Sequence, residues 1–297
     1  MKNVIVVTGG AGFVGSNLIK FLIKKTKLKI ISIDNYSTGI KRNHLVSKRV
    51  KYIRGNTTNT KILLKAYKKK IITLFHFGEF SRIYQSFKNF NDCYESNSIG
   101  SKEVFKFCLD NKIKLIYSAT SATLGQKGKD KNLSPYAFTK SNNLELLENL
   151  KQWFNLKYEI IYFYNVYGEK QIETGNMATV IGIFQNQYKK YKPLTVVKPG
   201  SQTRRFTHID DTIKTCYKAW KLNKCAHYSI SYLKEYSILD VAKMFNHKIK
   251  FLPPRPGERF ASALTDFSHN NKVIKCYGKI NLKDYITSFI KQSKKKL

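Results

Sequence analysis

Val4-Ile5-Val6-Val7-Thr8-Gly9-Gly10-Ala11-Gly12-Phe13-Val14-Gly15 runs from a short apolar stretch into a glycine cluster and on into a segment of helical period. The spacing is Gly9-x-x-Gly12-x-x-Gly15. In a strand–loop–helix unit the first glycine permits the tight turn, the second lets the backbone approach a pyrophosphate, and the third lets the helix pack on the strand. The helix then offers free N–H groups and a positive dipole end to the phosphates. Asp34 ends the next apolar run about 20 residues on, where a carboxylate accepts ribose hydroxyls. That carboxylate repels a 2′-phosphate, so NAD is expected over NADP, with Lys41 and Arg42 close by in sequence.

Outward from this unit, short apolar runs alternate with helical-period segments, the signature of an α/β fold with a parallel sheet. Strands are expected at Val4–Val7, Lys29–Ile33, Val50–Ile53, Thr73–Phe77, Lys114–Tyr117 and Tyr158–Tyr162. Helices are expected at Phe13–Lys24, Thr60–Lys69, Phe87–Leu109 and Tyr136–Phe154, with a weak turn after Asn35. Past Gly168 the rhythm changes. Helical segments at Ala178–Lys189, Asp210–Trp220, Ile238–Phe245 and Leu282–Lys291 mix with short strands and the turn Pro253-Pro254-Arg255-Pro256-Gly257. The fold class is therefore α/β: a Rossmann-type doubly wound parallel sheet with a smaller α/β substrate-binding domain. Residues 1–167, with part of 202–230, would form the first; 168–201 and 231–297 would form the second.

Composition narrows the function. The chain has 297 residues, with 54 Lys+Arg against 19 Asp+Glu, a formal net charge of +35. Its 42% hydrophobic content, with 19 Tyr and 19 Phe, excludes intrinsic disorder despite that charge. No apolar run approaches the ~18 residues of a membrane span, and no leader precedes the first glycine loop, so a cytoplasmic protein is expected. Cys93, Cys108, Cys216, Cys225 and Cys276 are scattered, odd in number and without a Cys-x-x-Cys pair, as reduced thiols are. No metal set is expected. Only eight of the basic residues are Arg, and the lysines are spread from end to end. This reads as a solvated surface with weak, salt-sensitive attraction for polyanions, not as a specific nucleic-acid reader.

Tyr136 and Lys140 stand four apart at the start of a helix and so share a face. Spacing alone is uninformative, since Tyr-x-x-x-Lys also begins at Tyr84, Tyr188 and Tyr217. Position separates them. Only Tyr136 follows the fifth strand, whose end carries Ser118-Ala119-Thr120-Ser121, and in an open α/β sheet ligands lie outside the carboxyl ends of the strands. Ser134-Pro135 ahead of Tyr136 is a helix-start signal. The set suits alcohol oxidation. Tyr136 takes the hydroxyl proton, Thr120 holds the substrate oxygen, and Lys140 with the nicotinamide cation favours phenolate. A shift of ~3 units would need ~4 kcal/mol from those charges.

On these motifs the chain resembles the extended short-chain dehydrogenase/reductases, and within them the NAD-dependent nucleotide-sugar epimerases of UDP-glucose 4-epimerase type. The resemblance covers nearly the whole chain. It implies a cofactor site of Gly9, Gly12, Phe13, Val14, Gly15, Asp34, Asn35, Ser37, Thr38, Gly39, Phe77, Gly78, Asn97, Ser118, Tyr136, Lys140, Tyr164 and Val166. Asn56 and Thr57 fall where the family carries an Asp and an apolar residue at the adenine; the Asn56 amide can still accept from the adenine amine. It implies catalysis by Tyr136, Lys140 and Thr120, and a grip on the nucleotide diphosphate by Asn165, Asn176, Arg204 and Arg255, with Glu258 at the nucleotide ribose. Guanidinium forks suit diphosphate oxygens on chemical grounds as well. Departures fall near the sugar. Glu79-Phe80-Ser81-Arg82 is a distinctive polar insert, read as a substrate contact through Glu79, Ser81 and Arg82, and Tyr162 replaces a usual arginine.

Family members that dehydrate or decarboxylate typically carry an acid after the catalytic Thr; here Ser121-Ala122 follows Thr120. Epimerisation needs no such acid. The resemblance therefore implies interconversion of UDP-hexoses (glucose/galactose or the N-acetylhexosamine pair) at C4 through a transient 4-keto sugar, in a homodimer paired through its long helices. The alternatives are another sugar-nucleotide-modifying relative (a dehydratase, decarboxylase or reductase) or a non-catalytic NAD- or polyanion-binding relative.

Overall fold

The computed structural model describes residues 3–124, 130–256 and 273–295. In chain order the strands are β1 (Val4–Thr8), β2 (Lys29–Asp34), β3 (Val50–Arg54), β4 (Ile71–His76), β5 (Lys114–Thr120), β6 (Tyr158–Phe163), β7 (Val166–Tyr167), β8 (Leu194–Val197), β9 (Thr203–Arg205), β10 (Thr207–His208), β11 (His227–Ser231), β12 (Glu235–Ser237), β13 (Ile249–Leu252) and β14 (Val273–Tyr277). The helices are α1 (Phe13–Lys25), α2 (Thr60–Leu63), α3 (Ile83–Lys88), α4 (Phe90–Tyr94), α5 (Ser101–Asp110), α6 (Pro135–Phe154), α7 (Val180–Lys189), α8 (Ile209–Leu222), α9 (Ile238–Lys243) and α10 (Leu282–Lys294).

Eight parallel strands form the central sheet in the order β14-β11-β6-β5-β4-β1-β2-β3. The strand order reverses between β1 and β4, which opens a crevice at their carboxyl ends. Alternate residues of β1 feed the two faces. Val4 and Val6 pack with Val104, Phe105 and Leu147 from α5 and α6, whereas Ile5 and Val7 pack with Leu18, Leu22, Ile213 and Cys216 from α1 and α8. Both faces are thus covered by helices, which is why these strands read as unbroken apolar runs. A smaller core joins Ile181 and Phe184 of α7 to Leu194, Val196, Val241, Leu282 and Ile286.

The six strands expected in the first half are all present, and the fold class stands. Three details differ. The expected helix Phe87–Leu109 is broken. Asn89 leaves helical geometry (φ −119°, ψ 54°), and Glu95–Gly100 winds as a π-helix before α5 begins. The expected helix Thr60–Lys69 stops at Leu63, and the chain turns through Lys70 into β4. Val273–Tyr277, expected with the smaller half, forms the outer strand of the large sheet beside β11.

Candidate active site

The crevice between β1 and β4 is built by close backbone approach. Gly9 sits at φ +70°, and a Cβ there would lie 2.6 Å from the Phe77 carbonyl oxygen. A Cβ on Gly15 would lie 2.2 Å from the Gly9 carbonyl oxygen, so the third glycine seats α1 against the loop. Thr8 Oγ1 accepts from the N–H groups of Phe77 and Gly78 at 3.1 and 3.0 Å. At the N-terminus of α1, Gly12 offers no side-chain cap and the first turn carries no acid, which leaves the Phe13 and Val14 end of the helix suited to an anion.

Asp34 is buried at the end of β2. Its carboxylate accepts from Ala11 N at 2.9 Å and Tyr36 N at 2.8 Å. Burial raises its pKa, against the lowering by those N–H bonds. Gly39 packs on this carboxylate, since a Cβ there would lie 2.7 Å from it. Asn35, Ser37 and Thr38 are exposed, with Asn35 Oδ1 accepting from Ser37 N at 3.0 Å. Asn56 is exposed and Thr57 buried. An uncapped helix end beside glycines and a carboxylate at the end of the second strand fits the diphosphate and a ribose of NAD.

Tyr136 lies in the first turn of α6. The helix starts there because Ser134 accepts from Ala137 N at 3.1 Å and Pro135 fits its first turn. The Thr120 hydroxyl at the end of β5 favours ionisation of the Tyr136 phenol, and Thr120 Oγ1 accepts from Ala122 N at 3.2 Å. Tyr136 N–H donates to Ser86 Oγ at 3.2 Å, which ties α6 to α3. Lys140 is buried one turn on. Its Nζ donates to Glu79 Oε2, to the Ser118 carbonyl and to the Tyr117 hydroxyl, the last at 3.2 Å. A phenol beside a strand-end hydroxyl in this position can hold and move a proton at a substrate carbinol.

Burial pushes the Tyr136 phenol up to about 12, Glu79 adds to the rise, and the Thr120 hydroxyl and the charge of Arg82 oppose it. Lys140 is paired with Glu79, whose side chain is 3% exposed. Its Oε1 accepts from Ser101 Oγ at 2.8 Å, Tyr117 OH at 3.0 Å and Asn143 Nδ2 at 3.2 Å. Asn97 is fully buried and bonds Phe80 and Thr139. Its side chain orders the 79–82 strap. Ser118 Oγ donates to the His76 carbonyl at 3.0 Å, and Tyr164 is fully buried.

Phe77 stacks edge-on against Phe163 with ring centroids 5.7 Å apart. Val166 pairs with Thr207, and Asn165 Nδ2 donates to the Arg205 carbonyl at 3.1 Å. Ser81 and Asn176 are exposed. Arg82 is half-buried, and its Nε donates to the Met177 carbonyl at 2.9 Å. Arg204 Nη1 donates to the Thr203 carbonyl at 2.8 Å, whereas the Arg255 guanidinium lies 5.3 Å from the centre of the Tyr84 ring. Glu258 lies outside the described residues. The structure thus brings Thr120, Tyr136, Lys140 and Glu79 together, while Asn176 and Arg204 stand on separate loops and strands. Sequence reasoning missed Tyr117, Asn143, Ser101 and Ser86. Asn143 lies three residues after Lys140 on the same helix face, which was a usable signal; the others are brought in by tertiary packing alone.

A doubly wound sheet with a glycine-rich crevice, an acid at the end of β2 and a Thr/Tyr/Lys group at the end of β5 defines a dinucleotide-dependent oxidoreductase-type enzyme. The pattern of the NAD dependent epimerase/dehydratase family matches residues 5–230, and the chain belongs to that family. Membership carries NAD as the cofactor. The uncharacterized UDP-glucose epimerase YtcB of Bacillus subtilis is 31% identical over 229 residues, covering 71% of this chain and 70% of that protein. A dTDP-D-glucose 4,6-dehydratase of Dictyostelium discoideum is 29% identical over 266 residues, covering 80% of this chain and 60% of that protein. The crystal structure of UDP-glucuronic acid 4-epimerase from Bacillus cereus, in complex with UDP-glucuronic acid and NAD, superposes with a TM-score of 0.81 at 25% identity, covering 99% of this chain and 100% of that one. Among the described residues no helix is long and apolar enough to cross a membrane, and no cluster of metal ligands occurs.

Proposed function

We propose that this protein is an NAD-dependent 4-epimerase of UDP-hexoses, acting on UDP-glucose/UDP-galactose or on the N-acetylhexosamine pair. The observation that carries the reading is the buried Tyr136 in the first turn of α6, set with Lys140 beside the Thr120 end of β5. Bound NAD supplies a hydride acceptor that returns what it takes. Tyr136 removes the proton from the sugar 4-hydroxyl and later gives it back, and Thr120 orients that oxygen. Gly9, Gly12 and Gly15 seat the diphosphate of the cofactor, and Asp34 takes its ribose. Arg204 and Arg255 suit the diphosphate of the sugar nucleotide.

Buried Tyr136 is a weak base on its own, so proton removal has to wait for a positive charge in the crevice. That ties deprotonation to the oxidised state of the cofactor and suits a reaction in which the cofactor is regenerated at each turn. After Thr120 come Ser121, Ala122 and Thr123, which leaves no adjacent acid for a dehydration. The test is incubation with UDP-glucose and with UDP-N-acetylglucosamine, followed by proton NMR of the sugar. The 4-epimer should accumulate to an equilibrium ratio, and Tyr136→Phe should lose at least 100-fold in kcat while retaining NAD. Stoichiometric NADH release without epimer would identify a dehydrogenase, and loss of water at C6 a dehydratase.

A homodimer is part of the proposal. Phe87, Phe90, Tyr94 and Ile99 are exposed along the α3–α5 run, and Phe138 is exposed on neighbouring α6. An apolar row on two adjacent helices suits a twofold helix pairing. The five unpaired thiols suit the reducing cytoplasm.

A further inference from the structure

We propose that His44 and Tyr36 are positioning residues of the cofactor site: His44, stacked on Tyr52, holds the Tyr36 side chain, and Tyr36 in turn holds the Asp34 carboxylate in the setting that accepts the adenosine ribose of NAD. The inference rests on the reading of Asp34 as the ribose acceptor.

The bracket starts on the sheet. Tyr52 lies in β3 and is registered with Ser32 of β2, two residues before Asp34. With a strand period of two, Ile30, Ser32 and Asp34 share one face, and Tyr52 packs on that face with Ile30 and Leu45. His44 lies flat on the Tyr52 ring, with centroids 3.7 Å apart and planes 6° from parallel. Tyr52 OH accepts from Leu45 N at 2.8 Å, so both the ring of His44 and the main chain that follows it are pinned to the strand. His44 Nε2 and Tyr36 OH are hydrogen-bonded at 3.0 Å.

Tyr36 needs such an anchor. Its φ is +62°, in the left-handed region that a tyrosine seldom adopts. In that conformation its N–H reaches Asp34 Oδ1 at 2.8 Å, while Ala11 N–H meets Oδ2 at 2.9 Å. Each carboxylate oxygen thus takes one main-chain donor and keeps room for a second, which suits a pair of ribose hydroxyls. Gly39 closes the flank, where a Cβ would lie 2.7 Å from Oδ1. The rest of the loop is tied back to the glycine loop through one atom. The Ala11 carbonyl accepts from Ile40 N at 3.1 Å and from Asn43 Nδ2 at 2.8 Å. Those ties leave the 35–38 stretch dependent on Tyr36. Without the bond to His44, the left-handed residue relaxes, its N–H leaves Oδ1 and the carboxylate loses its fixed aim. An acceptor oriented in advance distinguishes a hydroxyl from its absence, whereas a loose one spends the same gain on becoming ordered.

The test reads discrimination and uses the NAD-loaded protein. ADP and 2′-deoxy-ADP are titrated separately, and the NAD that stays bound is measured by chromatography after rapid gel filtration. The ratio of the two half-displacing concentrations does not depend on how tightly NAD itself binds. For the wild-type protein, 2′-deoxy-ADP should be needed at about tenfold the ADP concentration or more, as the loss of one hydroxyl from a charged acceptor entails. Tyr36→Phe keeps the ring and loses only the bond to His44; it should cut that ratio about threefold. His44→Ala removes the stack as well and should bring the ratio down to about two. An unchanged ratio in either variant, even with both nucleotides bound more weakly, would overturn the proposal, because a purely structural role weakens both nucleotides equally. A wild-type ratio near one would instead sink the ribose reading of Asp34 itself.

Discussion

Asn97 holds Phe80 by both of its main-chain groups: Oδ1 accepts from Phe80 N–H at 2.7 Å, and Nδ2 donates to the Phe80 carbonyl at 3.1 Å. Asn97 sits inside the π-helix Glu95–Gly100. A π turn carries an extra residue, which rotates the following side chains relative to an α-helix and recurs near functional sites. Here it directs Asn97 at the strap that carries Glu79 and Arg82, and Nδ2 reaches Thr139 Oγ1 at 3.3 Å as well.

Asn97→Ala should therefore loosen the strap rather than the sheet. It strands the two main-chain groups of Phe80, at ~1–3 kcal/mol for each group left buried without a partner. Urea denaturation should show a loss of about 2 kcal/mol or more. NAD affinity, read by calorimetry, should change less than threefold, because the Asn97 amide is spent on Phe80 and Thr139.

Gly15→Ala should act at the opposite end of the site. The new Cβ would lie 2.2 Å from the Gly9 carbonyl oxygen and 2.8 Å from Gly10 Cα, which are backbone atoms of the loop itself. NAD binding should weaken at least 100-fold by calorimetry. Gly175→Ala is the control. Gly175 has φ +78° but open space around it, so the expected effect is about 1 kcal/mol of left-handed strain and no change in NAD binding.

The contrast between these two sites also explains what could be read in advance. Gly9, Gly15, Asp34 and Tyr136 were legible because each does its work within one strand–loop–helix unit, where local spacing dictates geometry. The Glu79–Lys140 pair was not, because it depends on which way a strap between β4 and α3 turns, and Asn97 fixes that from a helix whose π turn leaves no periodic trace. In the same way β11, with Tyr228-Ser229-Ile230-Ser231, and β14, with Lys275 in its middle, lack the unbroken apolar run that marked β1. They were placed by pairing, not by pattern.

His76 makes the stability of the protein pH-dependent. It is fully buried, and its pKa is lowered from 6.5 to about 4 by burial, the neighbouring Lys140 adding to the fall and Glu79 opposing it. The unfolded chain takes up this proton near pH 6.5 and the folded one does not, so stability is present above 6.5 and lost as pH falls toward 4. The difference corresponds to about 3 kcal/mol over that window. Urea midpoints measured between pH 7 and 4 should fall accordingly, and His76→Gln should remove most of that slope.

Asp211 should hold the C-terminal segment to the rest of the molecule. It is 6% exposed in the first turn of α8, and its Oδ2 accepts from Lys279 N at 2.8 Å and Ile280 N at 3.0 Å. Tyr167 OH donates to the Ile280 carbonyl at 3.0 Å, and Gly278 N–H donates to the Ser231 carbonyl at 3.0 Å. These bonds anchor the link between β14 and α10, whose Leu282 and Ile286 complete the smaller core. Hydrogen bonds to a charged acceptor contribute ~1.5–3 kcal/mol each, so Asp211→Ala should cost about 3 kcal/mol or more by urea unfolding. Asp211→Asn keeps one acceptor oxygen and should lose about half as much. Hydrogen exchange locates the effect: protection should fall first at Lys279, Ile280 and along Leu282–Lys294, while β1 and β5 stay protected. Uniform loss of protection across the sheet would mean that Asp211 supports the whole fold and not this one junction.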